Sequence, residues 1–295
     1  MYTQYLDLEA GEGKAITVWP VPYEATASFA KGTINGPQAI LRASYEIETW
    51  DQELGVDLAD LASFRTLPFF RPSVSGPEAV YHQMVSFLNS QCQPQNDFVL
   101  TLGGEHSIAL APITFYQQQY QKMVVLHLDA HADLRDCFQE SHYSHACVMA
   151  RVLDLGLPVI SVGVRSLSQK EWQKISSAGN NNEITVFFAW DLSDPAKVAW
   201  QVAELIGNRP VYITFDVDVL DPSIMPGTGT PEPGGLSFEW LKDFWSHVLS
   251  RVFLVGMDVC EVSPLSSCGV VSESVAVKCV NKALASYLVH MGDRD

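Results

Sequence analysis

Seven short apolar runs, rich in β-branched or aromatic residues, recur along the chain: Ala15–Trp19, Phe98–Leu102, Met123–Leu128, Val159–Val164, Thr185–Phe188, Val211–Phe215 and Phe253–Met257. Runs of this length and composition predict buried strands. Helical spacing fills the intervals. After Pro37 the apolar positions are Ala39, Ile40, Ala43 and Ile47, and between Pro77 and Leu88 they are Val80, Met84, Val85 and Leu88. Further helices are predicted at about 146–155, from Ser168, at 195–206 and at 271–288. Strands that alternate with helices and stay apolar throughout belong in a parallel sheet covered on both faces. Pro20 and Pro22 are expected to end the first strand, Tyr23–Gly36 to form a surface loop, and residues 50–75, interrupted by Pro68 and Pro72, to be irregular. Residues 1–14 read as a polar N-terminal arm. No repeat, low-complexity run or linker divides the chain, so 1–295 is expected to be one α/β domain.

In such sheets, sites form outside the carboxyl ends of the strands. The run 123–128 delivers Asp129, His131 and Asp133 at spacing i, i+2, i+4, on one side of an extended chain. Two carboxylates and an imidazole beside an apolar wall are unfavourable unless paired. A divalent cation such as Mn, Fe, Ni or Zn suits that oxygen and nitrogen mixture. Taken alone, D-x-H-x-D matches often by chance. Three other runs also end in such residues: His106 after Gly103-Gly104-Glu105, then Asp216 and Asp218, then Glu261. Each has an ordinary reading by itself, as a helix start, a turn into Asp221-Pro222, or an exposed acid before Ser263-Pro264. Their joint placement at equivalent ends of one sheet selects the metal reading. Two histidines and four aspartates exceed the needs of one ion, whereas carboxylates bridging two ions about 3.5–4 Å apart use all six. Such a pair brings a water pKa toward ~7. With no P-loop, G-x-G-x-x-G or nucleophile elbow present, a water-activating hydrolase follows.

Thirty-four acidic against 18 basic residues give a formal charge of −16, which argues against a basic nucleic-acid surface. The acidity favours a small cationic ligand, although it serves solubility more. The six cysteines, Cys92, Cys137, Cys147, Cys260, Cys268 and Cys279, are scattered and form no C-x-x-C pair, which fits reduced thiols. With no signal pattern and no apolar run of membrane length, a cytoplasmic protein without membrane partners is expected.

Gly103-Gly104-Glu105-His106-Ser107, Asp129-Ala130-His131-Ala132-Asp133 and Thr214–Pro222 resemble the three signatures of the ureohydrolase (arginase/agmatinase) family. Gly227-Thr228-Gly229-Thr230-Pro231 and Met257–Val262 extend the likeness, which runs from about residue 20 to 275. The resemblance implies a three-layer α/β/α fold with a central, mainly parallel sheet. It also implies two Mn2+ per subunit, with Ni or Co fitting the same ligands, and a homo-oligomer, trimeric or hexameric. His106, Asp129, Asp133 and Asp216 would hold one ion; His131, Asp129, Asp216 and Asp218 the other. A metal-bridging hydroxide would attack the guanidinium carbon and release urea and an amine. Glu261 matches the family's guanidinium-binding glutamate, since a planar cation pairs best with a carboxylate. A histidine suits protonation of the departing amine. His142 and His145 both qualify by position, and the family's shuttle histidine, which precedes a small residue where a helix begins, selects His145. His127 is assigned to the opposite face from Asp129, His131 and Asp133, in a packed or hydrogen-bonded role.

Arginases carry asparagine two residues beyond the motif's last aspartate, where this chain has Arg135. The form Asp129–Asp136 followed by Tyr143-Ser144-His145-Ala146 is more like prokaryotic agmatinases. Agmatine or N1-aminopropylagmatine is the expected substrate; an arginine can also bind a carboxylate, which keeps arginine and guanidinobutyrate as alternatives, and guanidine stays open because the sequence does not place the loops that grip the far end. Outside this reading stand a zinc deacetylase-like amidohydrolase, disfavoured by the tandem aspartate pair, and an inactive family member acting as a binding subunit.

Overall fold

All seven apolar runs become strands, and all seven enter one sheet. The computed structural model describes residues 3–6, 13–178, 183–264 and 269–291. The chain runs β1 (Lys14–Val21), α1 (Gly36–Ser44), β2 (Trp50–Asp51), β3 (Val56–Asp57), α2 (Leu58–Leu61), β4 (Ala62–Thr66), α3 (Pro77–Gln91), β5 (Phe98–Gly103), α4 (Leu110–Gln117) and β6 (Val124–Leu128). It continues through α5 (Val148–Asp154), β7 (Val159–Val164), α6 (Gln169–Ala178), β8 (Ile184–Phe188), α7 (Pro195–Ile206), β9 (Pro210–Asp216), α8 (Phe238–Leu249), β10 (Phe253–Cys260) and α9 (Gly269–Leu288). Eight strands form a sheet of order β4-β1-β5-β10-β9-β6-β7-β8, and every neighbouring pair is parallel. β2 and β3 form a separate antiparallel hairpin.

Period-two alternation divides the core into two layers. On β9, Val211, Ile213 and Phe215 face one cluster, packed with Ile40 of α1, Val202 of α7, Phe244 and Trp245 of α8, and Val280 of α9. Tyr212 faces the other, with Met84 of α3, Ile113 of α4 and Met149 of α5. The result is the three-layer α/β/α arrangement, its sheet wholly parallel.

Several local expectations change. β1 passes through Pro20 to Val21, because its pairing with β5 leaves the proline, which lacks an N–H, in register with Leu102. Residues 50–75 are not irregular throughout, since they hold the β2–β3 hairpin, α2 and the edge strand β4. Helix α8 answers to no predicted helix. The loop expected at Tyr23–Gly36 is drawn inward, with Tyr23, Thr26 and Thr33 buried. In the arm, Tyr5 and Leu6 are buried and the Tyr5 hydroxyl donates to Asn281 Oδ1 at 2.7 Å. Residues 1–2, 7–12 and Cys268 lie outside the described residues; the other five cysteines are free thiols. Among the described residues no helix is long and apolar enough to cross a membrane.

Candidate active site

Four adjacent central strands, β5, β10, β9 and β6, release the predicted site residues at their carboxyl ends. Close backbone approach is built in at Gly104, where a Cβ would meet the Tyr23 carbonyl oxygen at 2.1 Å. That approach lets the Glu105 N–H reach the same oxygen at 2.8 Å. Beyond β6 the chain leaves the extended conformation: Asp133 has φ 51°. Glu261, just beyond β10, has φ 67°. Non-glycine residues held at positive φ cost about 1–3 kcal/mol each, and such strain gathers at functional sites. The Glu261 N–H donates to Gly104 O at 2.8 Å, and its Oε1 accepts the His106 N–H at 2.7 Å.

His106 Nδ1 lies 3.1 Å from Asp129 Oδ2, 2.9 Å from Asp133 Oδ2 and 3.7 Å from Asp216 Oδ2. His131 Nδ1 lies 3.0 Å from Asp218 Oδ2 and 3.4 Å from Asp129 Oδ1. Two groups of donor atoms each fall within 4.8 Å: His106, His127, Asp129 and Asp133, and Asp129, His131 and Asp218. Asp129 belongs to both. The six predicted ligands therefore converge, with Asp216 beside the first group. His127 does not face away, as expected from the sequence. Two positions before Asp129 on an extended strand it shares that face, and its Nε2 lies 2.9 Å from Asp129 Oδ2. Its Nδ1 is 3.0 Å from Ser161 Oγ, so the hydrogen-bonded role holds although the face was wrong.

The electrostatics ask for cations. Asp129, Asp133, Asp216 and Asp218 are all buried, and among the described residues their ion-pair partners are histidines alone. Burial, then Asp218, Asp129 and Glu261, push the Asp216 carboxyl well above its usual range. Burial opposes the charge on Asp129, yet His127, His106 and His131 hold it well below. Burial lowers His131, but Asp218 and Asp129 override it and raise the ring to about 12. Burial, with Glu105 and Asp218 nearby, raises Glu261 to about 8. Buried like charges of this kind are relieved by metal ions. The donor set, imidazole and carboxylate with a shared aspartate, fits two divalent ions of the Mn–Zn group.

Supporting bonds orient these groups. Asp258, fully buried, accepts the Tyr212 hydroxyl at 2.9 Å and the Thr214 hydroxyl at 2.9 Å. Thr214 has then spent its proton, so its oxygen accepts from His106 Nε2 at 2.8 Å, leaving Nδ1 bare toward the aspartates. Arg165 donates to the carbonyls of Gly163, Asp218, Val219 and Glu232, fastening the loops after β7 and β9.

A cavity of about 230 Å³ opens onto this cluster, lined by His106, Asp129, His131, Asp216, Glu261 and, on its walls, His145, Ser28, Arg135 and Phe138. His142 instead points to the exterior, its Nδ1 2.8 Å from Asp136 O. Arg135 sits over the Phe138 ring at 4.9 Å, with Nε 3.8 Å from Glu171. The sequence reading missed Thr214, Asp258, Glu105 and Thr26. The first three lie inside recognised motifs, but hydroxyl and carboxyl partners across strands leave no spacing signal.

The sequence profile of the Arginase family matches residues 14–285. An N(1)-aminopropylagmatine ureohydrolase of Synechocystis sp. is 35% identical over 289 residues, 95% of this chain and 92% of that protein. An agmatinase of Bacillus cereus is 30% identical over 257 residues, 86% and 85% of the two chains. Among solved structures, proclavaminate amidino hydrolase from Streptomyces clavuligerus superposes with a TM-score of 0.86 at 25% identity, over 98% of both chains.

Proposed function

The chain belongs to the arginase family, and on that footing we propose that it hydrolyses a cationic guanidino-amine, N1-aminopropylagmatine or agmatine, to urea and a polyamine. The observation that carries the reading is the shared Asp129 between two groups of metal-capable donors, with Glu261 and His145 opening onto the same cavity. His106, Asp129, Asp133 and Asp216 would hold one divalent ion, and His131, Asp129, Asp216 and Asp218 a second. When bound, the ions supply Lewis acidity and a water acidified toward pKa ~7.

The protein's own residues do the rest. Glu261, which lines the cavity, would be held in its charged form by the cationic substrate; its carboxylate accepts paired N–H bonds from the guanidinium and sets the plane of its carbon. The surrounding carboxylates favour a permanently charged substrate over a neutral one. His145 on the wall holds a proton for the departing amine nitrogen. In sum, R–NH–C(NH2)2+ and water give R–NH3+ and urea, with atoms and charge balanced. Arg135 is engaged by Phe138 and Glu171, which favours an amine over a carboxylate at the far end of the substrate. A homo-oligomer and a cytoplasmic location, the latter supported by the free thiols, belong to the same proposal.

The test is urea release by the Mn-loaded protein across N1-aminopropylagmatine, agmatine, arginine, guanidinobutyrate and guanidine, compared by kcat/KM. A strong preference for one of the first two is expected. Preference for arginine or guanidinobutyrate would assign Arg135 to a carboxylate, and inactivity with two ions bound, after Ni and Co are also tried, would overturn the enzyme reading. Asp129→Asn should lower metal content and activity together, whereas His145→Ala should lower turnover with both ions retained.

A further inference from the structure

The carboxylate of Glu105 is fully buried and accepts four hydrogen bonds. Its Oε2 takes the N–H groups of Ala25 at 2.7 Å and Thr26 at 2.6 Å. Its Oε1 takes the hydroxyls of Thr26 at 2.8 Å and Ser107 at 2.5 Å. A carboxylate only accepts and a threonine hydroxyl has one proton, so the Thr26 proton is committed to Glu105. The Thr26 oxygen is left to accept, and His145 faces it with two groups: its backbone N–H at 3.1 Å and Nδ1 at 3.1 Å. Were Nδ1 bare, its lone pair would oppose that of Thr26. Ser144 Oγ, at 3.4 Å from Nδ1, is the more distant partner. The ring is also held edge-on to Phe138, with centroids 5.7 Å apart at 85°.

We propose that Glu105 and Thr26 are a positioning pair that fixes the neutral His145 ring as its Nδ1–H tautomer, so that Nε2 alone exchanges the proton with the substrate nitrogen. Nε2 is 3.5 Å from Ser28 Oγ, which lines the same cavity. The device repeats the one at His106, where Asp258 takes the Thr214 proton and so dictates which imidazole nitrogen is protonated. In both places a buried carboxylate decides the tautomer of a histidine it never touches. The role of the proton rests on the proposed reaction; the tautomer does not.

Substitution at Glu105 gives a directional test. In Glu105→Gln the two backbone N–H groups require the amide oxygen at the Oε2 position, which puts the NH2 group against Thr26. The Thr26 hydroxyl proton must then turn toward His145 Nδ1, and the ring should switch to Nε2–H. Solid-state 15N spectra of [15N]histidine-labelled full-length protein, metal-free and Zn-loaded, read this directly, the His145 signal being assigned by its loss in His145→Gln. Wild type should show a protonated Nδ1 and bare Nε2, and Glu105→Gln the reverse. Thr26→Val should lose the single tautomer and Thr26→Ser restore it. With Glu105→Gln, kcat should fall about 10-fold or more while KM stays within about 2-fold and metal content is unchanged. An Nε2–H ring in wild type, or the same tautomer in all variants, would overturn the proposal. Because the spectra need no substrate, failure of every guanidino compound to react would leave this assignment standing and remove only the proposed function. Should Glu105→Gln fail to fold, the Thr26→Val and Thr26→Ser comparison decides alone.

Discussion

The backbone N–H of His106 donates to Oε1 of Glu261 over 2.7 Å, so one bond ties the proposed substrate anchor to the first of the proposed metal ligands. In Glu261→Gln the amide oxygen can keep that bond, but the NH2 group opposes the guanidinium. Two charge-assisted bonds are lost or weakened, and kcat/KM for the preferred substrate should drop about 100-fold or more. Metal content should be unchanged. Unaltered kcat/KM would remove Glu261 from substrate binding.

Thr214 stands between Asp258 and His106 and is not one of the proposed ligands. Thr214→Val keeps the volume and removes the hydroxyl, freeing the His106 ring to change tautomer. Metal affinity should fall about 10- to 100-fold, as is usual when an outer hydrogen bond to a ligand is removed. Competition with a chelator, followed by metal analysis, measures it; equal affinity would show that the ring needs no such partner.

Gly256 lies on β10 where its register against β9 shifts, and a Cβ there would meet Tyr116 Cε2 at 2.4 Å. Tyr116 cannot retreat easily, because its hydroxyl accepts from Val99 N–H and donates to Asp97 O, both at 2.8 Å. Gly256→Ala should destabilise the fold by about 1–3 kcal/mol through overpacking. Urea unfolding should show the loss as a lower midpoint at unchanged slope.

Asp221 fastens the loop after β9. The Ser223 hydroxyl, with backbone N–H groups of Ser223, Gly234 and Gly235, holds its carboxyl down at about 2. The unfolded value is about 3.9, so the folded state favours the charged form. Its stabilisation is complete above the unfolded pKa and disappears as pH falls from about 4 through 2. Asp221→Asn should therefore be less stable than wild type at pH 7, with the gap closing toward pH 2. A gap independent of pH would show that the charge contributes nothing.

What the sequence made legible, and what it hid, follows from where each signal resides. Fully buried strands such as Val211–Phe215 consist wholly of β-branched or aromatic residues and stand out in one dimension. β4 is an edge strand with one neighbour, β1, and its Ser63 and Arg65 break the apolar run. Helix α8 did carry a readable pattern, a Ser237 cap bonded to the Trp240 N–H and apolar Leu241, Phe244, Trp245 and Val248. The metal-capable residues were found because they cluster at or just beyond the carboxyl ends of strands. Asp133 joins them by a different route from the one expected: its positive φ bends the chain back, where a continued strand would have carried it away. Thr26 was hidden because it acts across 119 residues of chain, on His145, from a segment whose glycines resemble an ordinary loop.

Among the described residues β10 is the last strand in sequence, yet it lies at the middle of the sheet, between β5 and β9. Its pairings alone join, strand to strand, the half of the sheet that carries His106 to the half that carries the aspartates. All six candidate ligands precede β10 in sequence, yet their alignment across the sheet depends on it. Seating that one central strand closes the sheet and brings the carboxyl ends that carry the six candidate ligands side by side.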